Sequence, residues 1–207
     1  MSEIVVLCEG ATEKGLKDAL KVFLDGECVR ANQDRIRLTL VSANGGSELL
    51  KADRLSALVN RHLGRPGVVG VIGLVDVVAP GVRTRFENAA DAINTLKNLM
   101  FGEPRFHAHA AQHDLEAWLL PYWDTACRKV NRRQQPPGAR PEAVNHGHPP
   151  SYHLNELYRL AGKRYDKPRD AAAILRGQDL RVSAEACPQF KAFLNTLLGL
   201  SGCPQIH

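Results

Sequence analysis

No stretch of this 207-residue chain approaches the ~20 consecutive apolar residues that cross a bilayer. The longest run, Val68 to Val78, has the length of a buried strand, so a membrane protein is not expected. The five cysteines, Cys8, Cys28, Cys127, Cys187 and Cys203, are odd in number and scattered, with no Cys-x-x-Cys pair and no secretory signal ahead of them. A disulfide framework is therefore not expected, and a reducing cytoplasm is the expected setting. Also missing are the His-Glu-x-x-His helix of metallopeptidases, a zinc-like cysteine spacing and any internal repeat. What remains, 44% hydrophobic and 24% charged, is a globular composition. It suits one domain with a small appended subdomain, able to bury a core without staples.

The formal net charge of +5 and pI near 9.1 allow a polyanionic partner without requiring one. Arg128, Lys129, Arg132, Arg133 and Arg140 fall in one segment with no acid between them. Such a segment is either a solvated loop or a surface that faces nucleic acid.

Apolar periodicity orders the chain. Ile4 to Cys8 is an apolar run that stops at Glu9-Gly10, and Thr12 and Glu13 suit the first turn of a helix. Lys14 to Leu24 then carries Leu16, Ala19, Leu20, Phe23 and Leu24 on one helical face. Arg35 to Ser42 alternates as a half-buried strand, and Asn44-Gly45-Gly46 is a turn, with Ser47 as N-cap of a helix to about Leu63. Gly67 to Val75 has the composition of a central parallel strand and ends at Asp76. A helix over about Arg85 to Met100, a strand over Arg105 to Ala111 and a helix over Asp114 to Ala126 follow. This alternation predicts an α/β fold, a parallel sheet flanked by helices, over residues 1–127. Residues 128–150, rich in Arg, Pro and Gly, read as a basic loop. Residues 151–207, with helical stretches near Ser151 to Ala161, Pro168 to Leu175 and Glu185 to Leu200, read as a helical C-terminal extension packed on that core.

In this order Glu9, Asp76, Asp114 and Glu116 all fall at the C-terminal ends of strands, which in a parallel sheet share one edge. Clustered carboxylates repel one another unless a cation intervenes, and oxygen-only donors suit Mg²⁺ or Mn²⁺. A divalent-metal site is the functional expectation. For Glu9 and Glu13 the plainer alternative is a solvated loop acid and a helix-dipole acid. His107 and His109 would share a strand face, and with His113, His146 and His148 could suggest zinc, although hydrogen-bonded or surface histidines account for them as well. Trp118 is expected in the core and Trp123 against the loop. Gly45-Gly46-Ser47 lacks a P-loop lysine and reads as a turn and cap.

The stretch from Cys8 to Glu13, Cys-Glu-Gly-Ala-Thr-Glu, resembles a Glu-Gly-x-Thr-Glu motif. Leu74-Val75-Asp76 closes a central strand, and His113-Asp114-Leu115-Glu116-Ala117-Trp118-Leu119 is similar to His-Glu-aromatic-Glu-Ala-Trp-Leu. With Tyr165-Asp166-Lys167 and Cys187-Pro188-Gln189-Phe190 followed by Leu194, the chain resembles, over most of its length, standalone Toprim-domain proteins related to the OLD (overcoming lysogenization defect) nucleases of phage-defence systems. The resemblance implies a Toprim-like fold and a Mg²⁺- or Mn²⁺-dependent nuclease acting on DNA or RNA, with an ATPase partner. It implies Glu9 as metal ligand or acid–base group, and Asp76 with Asp114 or Glu116 as metal ligands. Glu13 would act on a metal-bound water or in proton transfer, and Lys167 would face the scissile phosphate. As a surface residue, Lys167 would instead sit beside Asp166. Arg128, Lys129, Arg132 and Arg133 would hold the nucleic-acid backbone.

One position departs from the pattern. Many Toprim sequences carry Asp-x-Asp after the central strand, and here Asp76-Val77-Val78 places valine where the second acid would stand. The competing class is accordingly a catalytically degenerate Toprim-like subunit that binds an ATPase complex, and a phosphatase or nucleotide hydrolase with the same metal chemistry is a third. No spaced set of base-reading residues is present, so sequence-specific readout is not expected.

Overall fold

The computed structural model describes residues 1–10, 12–43, 48–78, 86–144 and 147–207, with residues 12–14 as backbone alone. Strand β1 (Glu3–Cys8) leads into helix α1 (Thr12–Arg30), strand β2 (Arg37–Ser42), helix α2 (Ala52–Leu63) and strand β3 (Val68–Asp76). Helix α3 (Ala89–Leu99) and strand β4 (Phe106–Ala111) complete the alternation. The four strands are parallel in the order β2-β1-β3-β4. Chain order reverses direction between β1 and β3, and in open α/β sheets the crevice at such a reversal is where ligands bind.

Alternation along each strand divides the core. Ile4, Val6, Leu38, Ile72, Leu74 and Ala111 pack with α1 and the C-terminal half of the chain. Val5, Leu7, Val71, Val75, Ala108 and Ala110 pack with α2 and α3. The sheet is thus the middle of three layers, as buried parallel strands require.

Several boundaries differ from the sequence reading. The helix expected over Asp114 to Ala126 is a 3-10 helix, Leu115–Tyr122, followed by helix α4 (Trp123–Val130). Pro121 has no N–H to give to an α-helical ladder and crowds the preceding turn, so the α-helix starts only beyond it. Arg128 and Lys129 consequently lie on the last turn of α4, and the irregular segment begins at Asn131, whose left-handed φ of 55° closes that helix. A short 3-10 turn, Pro141–Ala143, interrupts this segment. Helix α5 (Pro150–Leu160) and helix α6 (Lys167–Leu175) follow. The single helix read over Glu185 to Leu200 is two, α7 (Leu180–Ala186) and α8 (Pro188–Leu200), because Pro188 fits only a first helical turn. Helix α1 runs six residues past Leu24. The turn at Asn44, Gly45, Gly46 and Ser47 lies outside the described residues, but helix α2 starts only at Ala52 with Lys51 at its N-cap position, so Ser47 does not cap it.

Two features position the site. At Gly15 of α1 an added Cβ would stand 2.5 Å from the carbonyl oxygen of Pro168, so the missing side chain lets the start of α6 lie directly against α1. Beyond β3, the amide of Val77 donates to the Ala111 carbonyl (3.2 Å) and that of Val78 to the His113 carbonyl (2.7 Å). His113 accepts this pairing in a left-handed conformation, φ 71°, which is uncommon for any residue but glycine. The chain after Asp76 is thereby laced to the chain that leads into Asp114.

Candidate active site

The acids assemble where the topology places them. Cys8 pairs with Leu74 and Asp76 with Ala111, so Glu9, one residue beyond β1, and Asp76, the last of β3, stand on neighbouring strands ~4.8 Å apart at one sheet edge. Glu9 is 9% exposed. Asp114 immediately precedes the 3-10 helix after β4 and Glu116 lies in its first turn, 1% and 0% exposed. The side chain of Glu13 lies outside the described residues, and its backbone is in the first turn of α1.

Each buried carboxylate has a specific anchor. The Asp114 Oδ2 accepts from the amide of Ser151 at 3.2 Å, so the N-terminus of α5 docks on this acid as helix N-termini dock on anions. Asp114 Oδ1 has no hydrogen-bond partner among the described residues. Burial first, and the charge of Glu116 second, push the Asp114 carboxyl up to about 7, which keeps a large share of it protonated near neutrality. Glu116 Oε1 is ion-paired to Lys167 Nζ at 3.0 Å, and its Oε2 has no hydrogen-bond partner among the described residues. Burial works against the Lys167 ammonium, but Glu116, Asp114 and Asp76 together outweigh it and raise its pKa. Lys167 therefore points into the crevice and not toward Asp166, which caps α6 by accepting from the Arg169 amide at 3.1 Å.

In the sequence Tyr165 stands only as part of a motif, and the fold makes it a wall of this site. It is 6% exposed, lies edge-on to Tyr158 with ring centroids 5.1 Å apart, and its hydroxyl has no hydrogen-bond partner among the described residues. Burial and the charge of Glu116 raise its pKa far enough that the hydroxyl stays neutral. Its proximity to Lys167 was the only signal available in the sequence.

The donors present are carboxylate oxygens, the type suited to Mg²⁺ or Mn²⁺. Among the described residues no three His, Cys, Asp or Glu side chains are grouped to hold an ion by themselves. An ion here would rest on one or two carboxylates and be completed by water and substrate oxygens, which is how Mg²⁺ is usually held. Among the described residues the histidines form no such group either. Thr196 donates to the Ala192 carbonyl (3.2 Å), so His109 Nε2, 2.8 Å from the Thr196 hydroxyl, is the donor of that contact. His146 lies outside the described residues.

The basic residues stand elsewhere on the surface. Arg128, Lys129, Arg132 and Arg133 are all exposed at the end of α4 and just after it. Arg132 Nη1 donates to the Leu160 carbonyl at 2.9 Å and Arg128 Nη2 to Thr125 Oγ1 at 2.7 Å. Trp118 is buried, stacked with Phe193 at 5.7 Å. Trp123 bonds the Gln134 carbonyl at 2.8 Å and so holds the irregular segment down.

Fold and site together define a three-layer α/β protein with an acid-lined crevice at the C-terminal edge of its sheet. The chain belongs to the family described as Domain of unknown function (DUF4276), whose model matches residues 8–198. No curated protein matches it. Among solved structures it is similar to the C-terminal region of the Xanthomonas campestris pv. campestris OLD protein, at 17% identity over 97% of this chain and 92% of that one, TM-score 0.48. It is also similar to the C-terminal region of the Burkholderia pseudomallei OLD protein, at 15% identity over 95% of this chain and 97% of that one, TM-score 0.49. No described helix is long and apolar enough to cross a membrane.

Proposed function

We infer that the protein is a Mg²⁺- or Mn²⁺-dependent nuclease that hydrolyses phosphodiester bonds of DNA or RNA, with Toprim-type chemistry and a role in phage defence beside an ATPase partner. The observation that carries this reading is the wholly buried Glu116, ion-paired to a lysine from a distant helix that also feels Asp114 and Asp76. Burying charge is costly, and a purely structural core has no need to gather acids where a parallel sheet binds ligands. The motif resemblance points the same way.

In this reading one or two of Asp76, Glu116, Asp114 and Glu9 hold the ion, and water and substrate oxygens complete its shell. Bound there, the ion would polarise a phosphoryl oxygen and lower the pKa of water. Lys167 presents its ammonium to the phosphate, where it offsets the charge developing on the oxygens. Asp114, with a pKa about 7, and Glu9 are placed to take or give a proton, and Glu13 is assigned the same duty from the motif alone. Arg128, Lys129, Arg132 and Arg133 hold the backbone away from the reacting bond.

The test is cleavage of supercoiled plasmid and of structured RNA in Mn²⁺ and Mg²⁺. The wild type should cut, and Glu116→Gln, which keeps the size and removes the charge, should lower the rate at least a hundredfold with an unchanged circular-dichroism spectrum. Robust turnover by both would sink this assignment of the site. A second reading is favoured by Val78, whose side chain replaces an acid and whose amide is spent on the His113 carbonyl. A degenerate binding subunit would be inert with every metal, alone and with its ATPase.

A further inference from the structure

More positive charge reaches the edge of the acid crevice than the segment after α4 supplies. Lys163 and Arg164 lie in the connection between α5 and α6, both exposed, immediately ahead of Tyr165 and Lys167. Lys163 Nζ donates to the Lys129 carbonyl at 3.2 Å, and Arg132 donates to the Leu160 carbonyl, so the ends of α4 and α5 are tied into one surface. A groove of about 470 Å³ between them is lined by Lys129, Lys163, Arg164 and Arg169. A larger hollow of about 890 Å³ on α4 is lined by Arg128, Arg132 and Arg133.

These cations are not neutralised in place. Arg169 is paired with Asp170 and Arg159 with Glu156, whereas Arg128, Lys129, Arg132, Arg133, Lys163 and Arg164 have no ion-pair partner among the described residues. The nearby acids Asp166 and Asp170 are engaged within α6. Arg164 is three residues before Lys167, and a chain spans at most ~3.6 Å per residue, so its backbone stands within about 11 Å of the lysine that touches Glu116. Among the described residues the one aromatic lining the groove is Tyr158, which is buried, so they offer no exposed ring there for a base to stack on.

We propose that Lys129, Lys163 and Arg164, continuous with Arg128, Arg132 and Arg133, form a phosphate track that leads a nucleic-acid backbone to Lys167 and the acid crevice. The proposal rests on the nuclease reading of that crevice. The track holds the backbone by charge and spacing, and among the described residues no exposed aromatic ring lines it for a base to stack on. The structural alternative is that Lys163 and Arg132 only cap helix carbonyls, a usual duty of basic residues at helix C-termini.

The test is fluorescence anisotropy of a labelled 20-base-pair DNA of arbitrary sequence, titrated in EDTA across a salt series so that binding is measured without cleavage. Removing one cation from a phosphate makes the slope of log K against log[salt] shallower by ~0.9 on duplex DNA. Lys163→Gln with Arg164→Gln should therefore reduce the slope by about 2, while Lys17→Gln with Lys21→Gln, an equal charge change at exposed sites of α1, should leave it unchanged. A slope equal to wild type in the first variant overturns the track, and so does a lowered melting temperature with an unchanged slope, the signature of capping alone. Failure of the wild type to bind DNA at any salt overturns it as well. Cleavage by wild type and Glu116→Gln in Mn²⁺ is scored separately, so the nuclease reading can fall while the track stands, and the reverse.

Discussion

At Lys167 a single residue shows how a side chain's meaning is set by what the fold brings to it. The sequence offers Asp166 as its neighbour, yet its charge is matched by Glu116, which is 0% exposed. Breaking such a pair leaves a buried carboxylate uncompensated and typically costs ~3–5 kcal/mol. Because Lys167 is partly exposed, Lys167→Met should cost about 3 kcal/mol in urea denaturation, and Lys167→Met with Glu116→Met should recover most of it. A double variant no more stable than Lys167→Met would mean that the pair is not a coupled unit. His109 is the opposite case, legible as a strand-face residue whose chemistry was not. It lies against Phe193 and Thr196 of α8, and burial first, then His107 and Lys97, lowers its pKa from 6.5 to about 4. The unfolded chain takes up a proton near pH 6.5 and the folded one only near 4, so stability is full above 6.5 and falls as the pH drops through that window. Between pH 7 and 4.5 the wild type should lose about 2 kcal/mol more than His109→Gln, which keeps the donor and cannot charge. Parallel pH curves for the two proteins would show that His109 is not held neutral.

At the scale of elements, strands and early helices were legible because two-residue and 3.6-residue periods are strong over β1, β3 and α1. The misses cluster at prolines. Pro121 and Pro188 sit within apolar stretches whose spacing still suits a helix, and a hydrophobic pattern does not register the absent N–H. The docking of α6 was invisible for a different reason, since it depends on an absence at Gly15. That close approach yields a prediction whose sign discriminates. In an open helix Gly→Ala stabilises by ~1 kcal/mol, but here the new Cβ would lie 2.5 Å from the backbone oxygen of Pro168, and such overpacking costs ~1–3 kcal/mol. Gly15→Ala should therefore lower the melting temperature, and by shifting Pro168 it should draw Lys167 off Glu116 and reduce any phosphodiesterase rate more than the lost stability explains. A raised melting temperature would mean that α1 and α6 do not approach this closely.

For the whole molecule, the placement of Glu9, Asp76, Asp114 and Glu116 at or just beyond the C-terminal ends of parallel strands was legible, since every crossover returns the chain to the same edge. Of what completes the crevice, Lys167 came only through the motif resemblance and the roles of Tyr165 and the Ser151 amide not at all, because all three arrive from the C-terminal helices and their connection, whose packing no local pattern specifies. Among the described residues Glu116, Asp114 and Asp76 all act on the ammonium of Lys167, and like charges gathered at one edge repel one another. Replacing Asp76 by Asn keeps the shape and removes one like charge, so in EDTA the variant should melt higher than wild type, as relief of carboxylate repulsion requires. Adding Mn²⁺ should reverse the order. The wild type should gain stability with rising ion concentration, as any ligand selective for the folded state dictates, and Asp76→Asn should gain much less. Calorimetric scans of both proteins across an Mn²⁺ series settle the matter through the crossing of two curves. If Asp76→Asn melts lower than wild type in EDTA and the two respond equally to Mn²⁺, the acids at this edge are satisfied within the fold and the site does not wait for a cation.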